Sequence, residues 1–258
     1  MIHYISTISS VENLAPDIWA ITFQLPDNYP EILAGQFVNI RVNDSLYPFL
    51  RRPFSFYRQM KGEGQILFRV VGEGTKLLAQ KKVADPLDLL GPLGNSFSID
   101  GEYDTAILVA GGLGVAPMPL LMNQLKHAGK KIVSYLGART KAQLVDRFLE
   151  NLTIVTDDGS MGSRGTVVDI LQEHLEEKRY SRPKIFACGP TGMINNLYHV
   201  ISKYKIPCDV SLEGTMACGI GICQGCPVEI CDCEKKYKLI CKDGPVFDLH
   251  TLRVPVNG

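Results

Sequence analysis

Cys218, Cys223 and Cys226 stand with four and then two residues between them, and Cys241 follows after fourteen more. Four thiolates on this C-x4-C-x2-C…C spacing match the plant-type pattern that holds a two-iron cluster. Gly219, Gly221 and Gly225 lie among them. A loop that wraps a cluster must bring backbone N–H groups close to sulfur, and glycine has no Cβ to obstruct that approach. Zinc also accepts four Cys, but its usual pattern is two C-x2–4-C knuckles, and Cys226 and Cys241 do not form a second one. Disulfide frameworks belong to short secreted chains. Chance is disfavoured because six of the eight Cys fall within 218–241. Cys231 and Cys233 lie near enough to compete with Cys241 as fourth ligand.

Two further stretches could hold an anion. Leu50-Arg51-Arg52-Pro53-Phe54-Ser55-Phe56 places two guanidiniums at the start of a strand, and a guanidinium fork matches two phosphate oxygens. A solvated basic patch is the plainer alternative. Val70-Val71-Gly72-Glu73-Gly74-Thr75-Lys76 reads as a strand, a glycine turn and a helix start, whose unpaired N–H groups favour phosphate. One guanidinium and one helix start facing a common cavity would suit a pyrophosphate.

The elements that must position these residues divide into three. Over 1–100, short apolar runs at 4–8, 19–25, 36–42, 54–57, 65–71 and 87–90 alternate with Gly and Pro, which predicts a small antiparallel barrel or sandwich. Gly91-Pro92-Leu93-Gly94-Asn95 reads as a closing turn and 98–104 as a linker. Over 101–212, expected strands at 105–110, 131–136, 152–156, 184–188 and 208–212 alternate with helical spacing at 119–127, 142–149, 167–175 and 193–204. Strict alternation predicts a parallel sheet with helices on both faces and ligands at its carboxyl edge. That edge holds Gly111-Gly112-Leu113-Gly114-Val115-Ala116-Pro117, where Pro117 replaces the third glycine of the dinucleotide fingerprint. It also holds Thr156-Asp157-Asp158-Gly159-Ser160, suited to ribose hydroxyls or to capping, and Cys188-Gly189-Pro190, whose thiol is either at a cleft or simply buried. Residues 213–258 form the Cys segment. The fold class expected is α+β multidomain: a β-barrel, an α/β parallel-sheet domain and a small C-terminal iron–sulfur segment.

Composition narrows the function classes. Lys plus Arg and Asp plus Glu both number 27 in 258 residues, so no global field gathers nucleic acid or anionic lipid. No run approaches eighteen apolar residues, and the N-terminus is not a signal sequence, so a cytoplasmic protein is expected.

Arg52-Pro53-Phe54-Ser55, Gly72-Glu73-Gly74-Thr75, Gly111–Pro117 and Cys188-Gly189-Pro190 resemble, in this order, the motifs of the ferredoxin–NAD(P) reductase superfamily. Met216-Ala217-Cys218-Gly219-Ile220-Gly221 and Cys241-Lys242-Asp243-Gly244-Pro245-Val246-Phe247 narrow the resemblance to the electron-transfer subunits of NAD-linked (class 1B) dihydroorotate dehydrogenases, across essentially the whole chain. The resemblance implies FAD on the barrel and the nicotinamide nucleotide on the α/β domain. Arg52 would meet the FAD pyrophosphate and Ser55 the flavin ring, with Pro53 and Phe54 also among the cofactor-binding residues. Leu67, Phe68 and Arg69 would line the cofactor, and Gly74-Thr75 would close on its phosphates. Gly112 and Gly114 would meet NAD, and Cys188, Gly189 and Pro190 would lie near the nicotinamide. Cys218, Cys223, Cys226 and Cys241 would hold a [2Fe–2S] cluster. Implied too is a separate FMN-containing catalytic subunit that oxidises dihydroorotate, in a heterotetramer of two of each subunit, with electrons passing through the cluster and FAD to NAD+ in pyrimidine biosynthesis. No side chain of this chain would react covalently. An NADP-dependent ferredoxin reductase or sulfide dehydrogenase-type subunit shares the layout, and Arg139 would favour it by binding a 2′-phosphate. A structural zinc module is the reading from a different class.

Overall fold

The computed structural model describes residues 1–231 and 236–253. Cys233, one of the rival fourth ligands, lies outside the described residues.

Six strands close an antiparallel barrel: β1 (Ile2–Ala15), β2 (Ile18–Gln24), β3 (Phe37–Arg41), β4 (Arg52–Met60), β5 (Glu63–Arg69) and β6 (Pro86–Leu93), in the order β1-β2-β5-β4-β3-β6. Alternation drives closure. Val38, Ile40, Phe56 and Ile66 turn inward to a shared apolar core, and closure leaves no unpaired edge. The stretch expected as a closing turn at 91–95 is largely strand, because Gly91 to Leu93 complete β6. Gly94, at φ +75°, ends it. Between β5 and β6 lies the short helix α1 (Glu73–Ala79).

The second unit is a seven-stranded sheet. Its strands are β7 (Thr105–Gly111), β8 (Lys131–Ala138), β9 (Leu152–Thr156), β10 (Ser163–Arg164), β11 (Pro183–Cys188), β12 (Cys208–Ser211) and β15 (Val246–Asp248), in the order β10-β9-β8-β7-β11-β12-β15. All pairs are parallel except β12 with β15. β7 is buried at every position, as a parallel strand covered on both faces must be. Helices α2 (Met118–His127), α3 (Val167–Glu176) and α4 (Thr191–Tyr204) cover the sheet. Strand order reverses between β7 and β11, which makes that point the switch where α/β sheets take ligands.

The helix expected at 142–149 does not form. A single 3₁₀ turn at Lys141–Gln143 is followed by an open loop. Phe148 has φ +68°, which no helix accepts. The loop is used instead to dock on the barrel: Tyr57 Oη donates to the Arg147 carbonyl at 3.3 Å, Arg147 pairs with Glu12, and the Arg58 guanidinium lies 3.8 Å from the Phe148 ring centroid. Tertiary contacts outweighed helical spacing there.

The linker at 98–104 is also tied down. The Lys184 ammonium, nearly buried, pairs with Asp209 at 3.0 Å and donates to the Ser98 carbonyl, while Ser98 N donates back to Asp209. In the C-terminal segment, β13 (Pro227–Glu229) and β14 (Tyr237–Leu239) form a hairpin ahead of α5 (Ile240–Asp243). Strand β15 then returns the chain to the sheet. No helix among the described residues is long and apolar enough to cross a membrane.

Candidate redox site

A cleft of about 380 Å³ opens between the barrel, the switch point of the sheet and the start of the Cys segment. Of the residues expected there, Arg52, Pro53, Phe54 and Ser55 come from β4, and Leu67, Phe68 and Arg69 from β5. Thr75 enters from α1 and Cys188 from the end of β11. Gly74 stands just behind: a Cβ on it would lie 3.1 Å from Arg52 Nε, so the glycine turn and the guanidinium share one cradle. Arg51 is taken elsewhere. It donates to the Asp88 carboxylate at 2.8 Å and to the Asp88 carbonyl at 3.1 Å, leaving Arg52 alone to face an anion. Thr75 Oγ1 closes the turn, donating to Gly72 O and accepting from Val71 N and Gly72 N.

Gly112, Gly114, Gly189 and Pro190 do not line the cleft. They form the two turns that follow β7 and β11, and Gly114 is required by their contact: a Cβ there would fall 2.1 Å from the Cys188 carbonyl oxygen. Between them Leu113 and Cys188 reach the cleft wall. Cys188 is 3% exposed, and burial pushes its thiol well above the ordinary range. Such a thiol stays protonated and packs against the cleft wall.

The cleft chemistry fits a flavin. Phe54 and Phe68, with ring centroids 5.6 Å apart, give an apolar wall. Arg69 Nη2 is buried without a partner among the described residues, a donor held ready for an acceptor in the cleft. Sequence reasoning gave no role to Ser211 and Glu213, which face the same cleft. Burial raises the Glu213 carboxyl pKa and Arg69 partly offsets this. The legible signal was their place at the carboxyl end of β12, where ligands of such sheets gather.

The four expected thiols all lie in the Cys segment, and two of them touch. The hairpin returns the chain so that Ile240 N donates to Cys226 O at 2.9 Å, which sets Cys226 and Cys241 sulfurs 3.2 Å apart. Backbone N–H groups aim at all four. Ile220 and Cys223 donate to Cys218 Sγ at 3.5 and 3.4 Å, and Gly221 donates to Cys241 Sγ at 3.1 Å. Gly225 reaches Cys223 Sγ, and Cys241 N reaches Cys226 Sγ, both at 3.4 Å. Gly219 and Gly221, at φ +70° and +84°, make the turn possible. These donors pull the Cys218 thiol down to about 6, whereas burial beside Cys226 pushes Cys241 up to about 12. Such sulfur-directed N–H groups are what a thiolate cluster needs to spread its negative charge. Among the described residues no three His, Cys, Asp or Glu side chains converge as closely as ligands of a single metal ion do. Cys231 turns away, its thiol facing the Leu252 carbonyl. Of the two isoleucines beside these thiols, Ile220 packs into the core, whereas Ile222 is 76% exposed.

Residues 213–253 match the iron-sulfur cluster binding domain of dihydroorotate dehydrogenase B, and residues 108–198 match the oxidoreductase NAD-binding domain. The dihydroorotate dehydrogenase B (NAD(+)) electron transfer subunit of Desulforamulus reducens is 34% identical, over 93% of this chain and 94% of its own. The chain belongs to this family. The electron transfer subunit of Bacillus caldolyticus is 40% identical over 83% of this chain and 84% of its own. Among solved structures, the NADH-dependent reduced ferredoxin-NADP oxidoreductase, described for flavin-based electron bifurcation, superposes with a TM-score of 0.86 at 31% identity, covering 97% of this chain and 90% of that one. That superposition therefore runs over nearly the whole chain.

Proposed function

We propose that the chain is the electron transfer subunit of an NAD-linked dihydroorotate dehydrogenase, accepting electrons from a catalytic partner at its thiol loop and delivering them to NAD+ at the sheet edge. Cys218, Cys223, Cys226 and Cys241 hold a [2Fe–2S] cluster. Arg52 to Ser55, Leu67 to Arg69, Gly74 and Thr75 hold FAD, and Gly112, Gly114, Cys188, Gly189 and Pro190 meet NAD. Bound there, cluster and flavin supply the conversion between one-electron and two-electron transfer.

One observation carries the reading: Glu213, Gly214 and Met216 line the same cleft as Arg52 and Ser55, and Cys218 follows two residues later. The thiol loop is thus the continuation of the cleft wall. The side chains bind and shield. Arg52 would clamp phosphate oxygens, Arg69 would offer a donor to the cofactor, and Phe54 and Phe68 would shield it from water. Oxidation of dihydroorotate to orotate on the partner releases two electrons and two protons. NAD+ takes both electrons and one proton, and the other proton goes to solvent.

The partner is read as an FMN-containing catalytic subunit, two copies of each chain forming a heterotetramer, in the cytoplasm. The units are read as 1–100, 101–212 and 213–258. The test is anaerobic copurification with the partner and assay of NAD+ reduction by dihydroorotate. Dihydroorotate-dependent NADH formation that needs this chain supports the reading, and its absence in an iron- and flavin-loaded complex overturns it. The likeness to the ferredoxin-NADP oxidoreductase supports a second reading, a subunit of that type of enzyme. Turnover with NADP+ and ferredoxin, without response to dihydroorotate, would favour it.

A further inference from the structure

Strand β3 carries a buried polar side chain to which neither cleft nor cluster assigns a role. Val38 and Ile40 point into the barrel core. Phe37 and Asn39, on the alternate face, point outward, and Phe37 joins the apolar cluster that contains Cys226 and Cys241. Asn39 is 1% exposed on this outer face, because the thiol segment lies over it.

Its Nδ2 donates to the Cys218 carbonyl oxygen at 3.2 Å, joining residues 179 apart in sequence. The approach is close. A Cβ on Gly219, at φ +70°, would stand 2.0 Å from Nδ2, so only glycine lets the loop settle onto the amide. Asn39 Oδ1 is buried as well and finds no donor among the described residues, which costs stability that an aliphatic side chain would not. Asn is also a poor strand former, so neither burial nor propensity accounts for it. On its other side, Asn39 pairs with Pro53 across β3 and β4, and Pro53 lines the cleft beside Phe54 and Ser55. A single residue therefore ties the backbone of the first thiol ligand to the strand that carries the flavin side of the cleft.

We propose that Asn39 is a positioning residue that fixes the cluster against the flavin and thereby sets the rate of electron exchange between them. The proposal rests on reading the thiol loop and the cleft as cluster and flavin sites. Exchange moves one electron at a time, with no bond made or broken at Asn39. The amide is needed for its N–H: leucine fills similar space but leaves the Cys218 carbonyl without its donor, and the loop is then free to shift.

The test uses the full chain loaded with FAD and iron, prepared anaerobically as wild type, Asn39→Leu and Asn39→Ala. The alanine variant removes the donor without adding bulk. Stopped-flow mixing with NADH follows flavin bleaching first and cluster bleaching second. Iron, sulfide and FAD per chain and the EPR spectrum of the reduced cluster are recorded on the same samples. Expected are wild-type cofactor content and flavin reduction, a changed EPR line shape, and cluster reduction slowed severalfold, since tunnelling between two centres weakens steeply with each added ångström between them. Wild-type cluster reduction in both variants overturns the proposal, as does slowing that only tracks lost iron or FAD. Wild-type protein that binds neither iron nor sulfide would instead bring down the reading on which the proposal rests.

Discussion

Cys188 and Cys218 carry the same side chain in two regions built on different plans. Cys188 closes a strand paired on both sides, and burial pushes its thiol well up. Cys218 lies in a loop without regular structure, where the N–H groups of Cys223 and Ile220 pull its thiol down to about 6. The sheet edge holds its shape by ladder hydrogen bonds and apolar packing, and its thiol is filling. The loop spends its backbone donors on sulfur instead of on secondary structure, so its shape depends on the sulfurs themselves. The cleft should therefore survive loss of the thiol loop's ligand, while the loop should not survive loss of a thiol.

The sharpest break of this comparison is Cys226→Ser. It removes a sulfur that accepts the Cys241 N–H and lies against the Cys241 thiol. Expected is near-complete loss of iron and inorganic sulfide, with FAD still bound and still reduced by NADH at the wild-type rate. Metal analysis beside a diaphorase assay reads both. Loss of flavin along with iron would mean that the two regions fold as one.

The thiols can also be compared directly. In iron-free protein, iodoacetamide should label Cys218 at least about a hundredfold faster than Cys188 at pH 7, because the thiolate is the nucleophile and only Cys218 populates it. Since its pKa is lowered, the Cys218 rate should climb with pH and level off above about 6. Peptide mass spectrometry against time gives both rates, and equal labelling would refute the contrast. On the cleft side, Arg52→Ala removes a charge-assisted contact worth roughly 1.5–3 kcal/mol, so FAD should bind about 10- to 100-fold more weakly by fluorescence titration. Iron content should stay unchanged.

How much of this was open to inspection in the sequence follows the same division. Strands β2 and β7 and helix α3 announced themselves, because alternation, continuous burial and 3.6-residue spacing are local properties. The thiol spacing was legible for a similar reason: a cluster fixes its ligands by chemistry rather than by fold. Residues 142–149 misled because Arg147 and Phe148 serve an interface with the barrel, and an interface leaves no period of its own. Arg51 and Arg52 looked equivalent, since the partner that claims Arg51 lies 37 residues away in β6. Asn39 and Glu213 were silent for the same cause: each owes its place to a contact between distant segments. The return of β15 into the sheet was hidden too, three residues being too short to carry a pattern.

The smallest effect expected is on the barrel alone. Asp88 accepts from Arg51 and His3, both at 2.8 Å, and although burial works against it, these partners hold its carboxyl below the usual carboxylate range. A depressed folded pKa gives stability that is full above the unfolded value of about 3.9 and is lost as pH falls through the folded one. Asp88→Asn should therefore lower barrel stability by about 1–2 kcal/mol at pH 7, and the gap from wild type should close below about pH 4. Trp19, the chain's single tryptophan, lies in β2, so its emission in urea reports this unit. Iron release from the thiol loop, followed in the same titration, should not move with the substitution. If it does, strain in the barrel reaches the cluster, and the independence of the two regions is lost at the contact between β3 and Cys218.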